Sequence, residues 1–149
     1  NPTQRTQTAS INAASTTVNL DVSGTTYADF PIIDVTGPAT ALTIGASYAG
    51  IDLRLQSAIP SGETFRFDLR RGYRTVQRTS DGANRMSYVN PTYLDALDQL
   101  RILGVKELSN YKILAGGSAT NLMDFTITCS GTNASSQITF YWYDRYLSL

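Results

Sequence analysis

The sequence contains no histidine and only one cysteine. Without histidine, the chain lacks the commonest general base, the usual zinc ligand and every catalytic pair in which histidine activates a serine or cysteine. A single cysteine excludes an internal disulfide framework, so the fold must depend on its core. Cys129 shares the parity of Phe125 and Ile127 in an alternating segment, which predicts a small buried side chain rather than a reactive thiol.

Net charge and long apolar runs are also lacking. Twelve positive residues balance twelve negative ones, so no global field attracts the chain to nucleic acid or to a membrane surface. No apolar run is long enough to span a bilayer, and no signal peptide is visible. Because the chain begins Asn-Pro rather than with Met, we expect a processed product or a fragment of a longer protein.

What remains is rich in Thr, Ser, Gly, Asn and Tyr, a composition typical of all-β proteins. About eight to ten short alternating segments, separated by turn residues, predict an antiparallel two-sheet sandwich or jelly roll. Residues 1–17 contain only one large apolar side chain, Ile11. We expect them to form a flexible, linker-like entry or an edge strand, with the sandwich domain in residues 18–149.

The stretch 61–77 predicts a hairpin around which the rest of the domain is organised. Phe65, Phe67 and Leu69 alternate with polar residues, the period of a strand with one dry and one wet face. Gly72 can adopt the positive φ that a short reversal needs. We therefore expect the three apolar side chains in the core.

Other segments are assigned by the same patterns. Pro31 predicts that a strand over 28–35 lies at a sheet edge or starts late. An Asp-Gly turn at 81–82 predicts a returning strand over 85–89. Asn90, Pro91 and leucines spaced three apart predict the chain's only helix, near 91–100, and Ser109-Asn110 reads as a turn.

Six arginines, half of the positive charge, fall within twenty residues: Arg66, Arg70, Arg71, Arg74, Arg78 and Arg85. Arginine forks suit carboxylates and phosphates, so one interpretation is contact with an acidic protein or an anionic surface polymer. The other interpretation is a solvated strand face that protects a sheet edge. Nucleic acid is the least favoured partner.

The closing strand, predicted over 137–146, is aromatic. Its alternation places Phe140 and Trp142 in the core and leaves Tyr141 and Tyr143 on the opposite face. These two tyrosines could contact a glycan or a neighbouring subunit, since tyrosine is enriched at interfaces. The candidate contact residues are therefore Arg66, Arg70, Arg71, Arg74, Tyr141 and Tyr143.

Enzymatic chemistry finds little support. Asp95 and Asp98 lie one turn apart on the predicted helix, and Asp52 and Asp68 lie on strands. A glycosidase needs two carboxylates held roughly 5–10 Å apart, and no pattern shows that any pair converges. No phosphate-binding or calcium-binding loop is present either. We predict no catalytic residue, cofactor or metal.

Four motifs, in register, resemble the C-terminal domain of phage distal tail proteins, the siphophage tail-component family. They have the forms P-x-I-x-I-x-G-P, G-E-x-φ-x-φ-D (φ, hydrophobic), R-x-G-x-R-x-V and a final aromatic strand ending R-Y-L. In this chain they and their flanks occupy residues 31–40, 42–44, 59–76 and 138–147.

The resemblance implies a galectin-like or carbohydrate-binding-module-like β-sandwich with a structural role in a virion. In that family the domain follows an N-terminal domain that forms a hexameric ring and links the tail tube to the baseplate or tip. The implied partners are other tail subunits and, in some members, host-surface glycans. Sandwich likeness alone does not imply sugar binding.

Overall fold

The chain forms nine strands in the part that the computed structural model describes, residues 3–23, 29–46, 50–118, 120 and 122–144. The strands are β1 (Gln4–Ser10), β2 (Ser15–Asp21), β3 (Ile32–Thr36), β4 (Thr40–Ala46), β5 (Ile51–Arg54), β6 (Thr64–Asp68), β7 (Thr75–Arg78), β8 (Leu122–Ser130) and β9 (Gln137–Tyr143). The helices are α1 (Ala96–Gln99) and α2 (Val105–Leu114), with 3₁₀ turns at Met86–Tyr88 and Pro91–Tyr93.

These strands form two antiparallel sheets. The five-stranded sheet has the order β1-β9-β3-β6-β7, and the four-stranded sheet has the order β2-β8-β4-β5. Ile33 lies opposite Phe67 on one side and Phe140 on the other. The predicted all-β, two-sheet antiparallel sandwich is therefore confirmed.

The core lies between the sheets and contains the residues that alternation predicts. Phe65, Phe67 and Leu69 are fully buried. Phe125 of the four-stranded sheet packs on Phe140 of the five-stranded sheet, with ring centroids 4.8 Å apart. Cys129 is also buried, and desolvation raises the pKa of its thiol, as expected for a small core side chain.

The N-terminal segment differs from the flexible entry that its composition predicts. Residues 4–10 form β1, an edge strand paired with β9 along its whole length, which is the alternative interpretation of this segment. Ile11 follows directly and is fully buried. Threonine favours the strand conformation, and the backbone of β1 pairs with β9 on one side.

Pro31 is predicted to place its strand at a sheet edge or to delay the start of the strand, and the structure shows the delayed start. The strand starts late, at Ile32, and lies in the middle of the sheet between β9 and β6. Pro31 has no N–H to donate, but its carbonyl accepts a hydrogen bond from the N–H of Leu69 at 3.1 Å.

The predicted returning strand over 85–89 is wrong. Asn84 forms an isolated bridge with Gln77, and the chain then enters the 3₁₀ turn Met86–Tyr88. The reason is that this segment changes sheets. The N–H of Arg85 bonds Val76 of the five-stranded sheet at 2.7 Å, whereas the carbonyl of Tyr88 accepts from Gln56, beside the four-stranded sheet, at 2.8 Å.

The helix near 91–100 is shorter than predicted, and it is not the only helix. Asn90 caps the 3₁₀ turn Pro91–Tyr93, since its side chain accepts a hydrogen bond from the N–H of Thr92 at 3.0 Å. Within 91–100, only residues 96–99 are α-helical. The turn predicted at Ser109-Asn110 lies inside α2. Tertiary contacts outweigh the local signal, because the Ser109 hydroxyl donates to the Thr120 carbonyl at 2.8 Å.

Truncation of Phe67 tests the core. Phe67→Ala should reduce the free energy of unfolding by about 3–5 kcal/mol, because it removes a fully buried ring from the centre of the sandwich. Leu114→Ala is the control, since Leu114 is 88% exposed and its loss should change stability by less than about 0.5 kcal/mol. Urea denaturation measures both. Equal effects of the two substitutions would contradict the core assignment.

Candidate functional site

The outward face of the five-stranded sheet brings together residues from distant parts of the sequence. Strand alternation turns Tyr141 and Tyr143 of β9, Asp34 of β3 and Arg66 of β6 away from the core. We call these four residues the Tyr-Arg face. The register explains their proximity, because β3 lies between β9 and β6 and places Asp34 directly opposite Arg66.

Arg66 is the centre of this face. Its Nε and Nη2 donate to the two carboxylate oxygens of Asp34, each at 2.8 Å. Its guanidinium carbon lies 5.7 Å from the ring centroid of Tyr141. The hydrogen bond that Arg66 donates to Asp34 raises the pKa of the Arg66 guanidinium. A two-pronged pair of this kind fixes the guanidinium plane and limits the rotamers of the side chain.

Arg70 lies where the hairpin leaves β6. Its Nε and Nη2 donate to the carboxylate of Asp68 at 2.9 and 2.7 Å. The guanidinium also lies 4.3 Å from the ring centroid of Tyr73, an exposed side chain of the turn. Arg70 is therefore held by one buried acid and one surface aromatic ring.

Arg71 and Arg74 complete the turn of the hairpin. Both guanidinium groups lie over the ring of Phe30, at 5.6 and 5.7 Å from its centroid. Arg74 also forms an ion pair with Asp98 at the end of α1. Gly72 has the positive φ of 85° that the sequence predicts for this reversal.

Arg78 joins the start of β6 to the next reversal. Its Nη1 donates to Glu63 at 2.9 Å, and its Nε donates to Asp81 at 2.9 Å. Arg85, the last member of the cluster, packs its guanidinium near the rings of Phe65 and Tyr88. Four of the six clustered arginines thus face carboxylates within the same domain, so the cluster is not a bare cationic patch.

A groove on the other sheet was missed from the sequence. It encloses about 320 Å³ on the outward face of β4, β5 and β8, lined by Thr43, Gly45, Asp52, Arg54, Thr126 and Thr128. Gly45 makes room for the Asp52 carboxylate, since a Cβ there would lie 2.8 Å from Oδ1. Arg54 donates to Asp52 at 3.0 Å and lies 4.4 Å from the ring centroid of Tyr93.

The aspartates considered for catalysis do not form one constellation. Asp52 and Asp68 lie on strands of different sheets, while Asp98 is paired with Arg74. Within the described residues, no group of three or more His, Cys, Asp or Glu side chains could hold a metal ion. In the same part of the chain, every helix is too short or too polar to cross a membrane.

Comparisons with protein-family models, with curated proteins and with solved structures find no match for this chain.

Asp81 gives the site a testable pH dependence. Its hydrogen bond from Arg78, with a second from the backbone of Ala83, lowers its pKa below the ordinary value of 3.8. A carboxyl whose pKa is lowered by folding stabilises the protein above that ordinary value and loses the effect as the pH falls through the folded-state pKa. Asp81→Asn should therefore lower the urea midpoint at neutral pH, and the difference from wild type should shrink below about pH 4.

Asp95→Asn is the matched control, because it removes an exposed carboxylate away from Arg78. A constant difference between Asp81→Asn and wild type from pH 7 down to about pH 2 would show that the ion pair does not set the pH dependence.

Proposed function

We propose that this chain is a structural domain of a phage virion, in the tail tip or baseplate, and that it acts through protein–protein contacts. The observation that carries the proposal is the Tyr-Arg face, where Arg66 is locked between the carboxylate of Asp34 and the ring of Tyr141. Tyrosine and arginine are the residues in which protein interfaces are enriched.

Hydrogen bonds between threonines on the strands that carry this face also support protein contact. Thr8 and Thr139 share a hydrogen bond of 3.0 Å across β1 and β9, and Thr36 and Thr64 share one of 2.8 Å across β3 and β6. Side chains that are already fixed lose little entropy when a partner binds. Preorganisation of this kind favours a contact between folded subunits.

The resemblance to distal tail proteins supports the tail assignment, and it rests on residues that build the fold. In this chain its motif positions include the core residues Phe65 and Phe67 and the ion-paired arginines Arg70 and Arg74. These residues build the sandwich and its hairpin turn. They therefore favour a sandwich domain of the distal-tail type. The Tyr-Arg face supplies the contact surface that such a domain needs in an assembly.

A second candidate function is glycan binding by a carbohydrate-binding module or adhesin, and the groove on the four-stranded sheet favours it. The Asp52 carboxylate can accept from sugar hydroxyls, and the Arg54 guanidinium can donate to them. Tyr93 offers a ring beside Arg54. This groove lies on the opposite sheet from the Tyr-Arg face, so the two functions can be separated by substitution.

One experiment tests both candidates. Particles from the source that encodes this chain are probed with gold-labelled antibody, and variants are scored for incorporation and for binding on a glycan array. We expect label at the tail tip, and Arg66→Ala should reduce incorporation roughly fivefold or more, since truncation of a central interface arginine costs more than about 1 kcal/mol. Arg54→Ala, on the opposite sheet, should leave incorporation unchanged.

Absence of label from particles would overturn the virion assignment. Glycan binding that is lost in Arg54→Ala and kept in Arg66→Ala, without particle label, would establish the second candidate instead. Thermal melts of both variants check that each remains folded.

A further inference from the structure

The two sides of the sandwich differ in how far the backbone groups of their edge strands are hydrogen-bonded. On one side, residues 83–90 cover part of the edges that β5 and β7 present. The N–H of Arg78 donates to the Ala83 carbonyl at 2.9 Å, and the N–H of Asn90 donates to the Arg54 carbonyl at 2.9 Å. The chain therefore pairs part of these two edges from within, at Val76 and Arg78 of β7 and at Arg54 and Gln56 at the end of β5 and just beyond it.

The opposite side presents β1 as an edge. In the antiparallel ladder with β9, Thr3 lies opposite Asp144 and Ile11 lies opposite Ser136, and both pairs are joined by backbone hydrogen bonds of 2.9 and 3.1 Å. Hydrogen-bonded pairs alternate along such a ladder. The odd residues of β1 therefore bond to β9, whereas the N–H and C=O groups of the even residues point away from it. These outward residues are Gln4, Thr6, Thr8 and Ser10.

No residue in the described ranges bonds to those outward backbone groups. The four residues are also exposed. The usual devices that protect an edge are missing from β1, which has no proline, no lysine and no bulge. Its one charged side chain, Arg5, donates to the buried carboxylate of Asp144 at 2.8 Å. The edge is thus regular, neutral and seven residues long.

We propose that β1 pairs antiparallel with β1 of a second copy of this chain, so that two five-stranded sheets become one continuous sheet across a two-fold axis. The proposal does not depend on a virion role. It follows from an edge that offers backbone donors and acceptors at every second residue.

A second copy fits because β1 is self-complementary in one register. With the two-fold axis at Gln7, Thr6 lies opposite Thr8 of the other copy and Gln4 lies opposite Ser10. All outward backbone groups of β1 then find partners. Arg5 lies opposite Ala9, so like charges do not face each other across the axis, and the threonine pair is favourable in antiparallel sheets. The register therefore needs no other chain to complete it.

Proline substitutions test which edge is used. Thr6→Pro removes an N–H that points away from β9, so the monomer should keep its sheet while the dimer loses a hydrogen bond from each copy. We expect a dimer dissociation constant raised about tenfold or more by sedimentation at several concentrations. Thr17→Pro is the matched control on β2, the other edge of this side, and should leave the association unchanged.

Charge pairs test the register. Thr6→Lys with Thr8→Lys places like charges opposite each other across the axis and should abolish the dimer, whereas Thr6→Lys with Thr8→Glu places opposite charges together and should retain it. Circular dichroism and urea midpoints check that each variant is folded.

A wild-type chain that stays monomeric at all concentrations would overturn the proposal, as would a dimer that survives Thr6→Pro but not Thr17→Pro. Equal behaviour of the two charge variants would reject the register. A monomeric chain that still labels virion particles would reject this pairing and leave the proposed function standing, so the two failures are distinguishable.

Discussion

The backbone hydrogen-bonding requirement of the edge strands constrains the rest of this structure. Two open sheets have four edges, and each edge strand can satisfy only half of its peptide groups within its own sheet. Residues 83–90 meet part of this requirement for both β7 and β5 in a single pass. Because those strands belong to different sheets, the segment must cross from one to the other, and the 3₁₀ turn Met86–Tyr88 makes the crossing. Tyr88 then packs edge-to-face on Phe65 with centroids 5.1 Å apart, which ties the crossing to the core.

The arginine cluster serves the same organisation. Arg78 fixes the reversal that leads into the crossing segment, and Arg74 ties the hairpin turn to α1. Exposed ion pairs contribute at most about 1 kcal/mol each, so their main effect is to fix where side chains and loops lie. A partner would therefore meet a preorganised surface of paired charges and tyrosines. Recognition of such a surface depends on the fit of fixed side chains, whereas a polyanion would be attracted by unpaired cationic side chains.

Alternation predicted the sandwich and much of its core because each inward residue carries its own signal. Phe65, Phe67 and Leu69 needed no knowledge of their neighbours. It could not predict β1, whose polar residues alternate in no visible way, or α2, which depends on contacts such as Lys112 with Asp124 of β8 at 2.9 Å. The proline at 31 allowed two positions in a sheet, and only the pairing partners decided between them.

The candidate sites show the same limit. Alternation gave the outward direction of Tyr141 and Arg66, but their approach depends on β3 being inserted between β9 and β6. The groove at Gly45 depends on the register of β4 and β5 with each other and with β8, which is distant in sequence. The face to which a side chain points is set locally within its strand, whereas the approach of side chains from different strands is set by the order and register of the sheet.

Residue-resolved amide hydrogen exchange in dilute solution tests the central claim, that residues 83–90 pair with the edges on one side of the sandwich whereas the edges on the other side are open. We expect near-unprotected exchange at Thr6 and Thr17, whose N–H groups point away from their sheets. We expect strong protection at Gln7, Arg78 and Gln56, which donate within the domain. Protection of Thr6 and Thr17 equal to that of Gln7 in the monomer, or rapid exchange at Arg78 and Gln56, would contradict this claim.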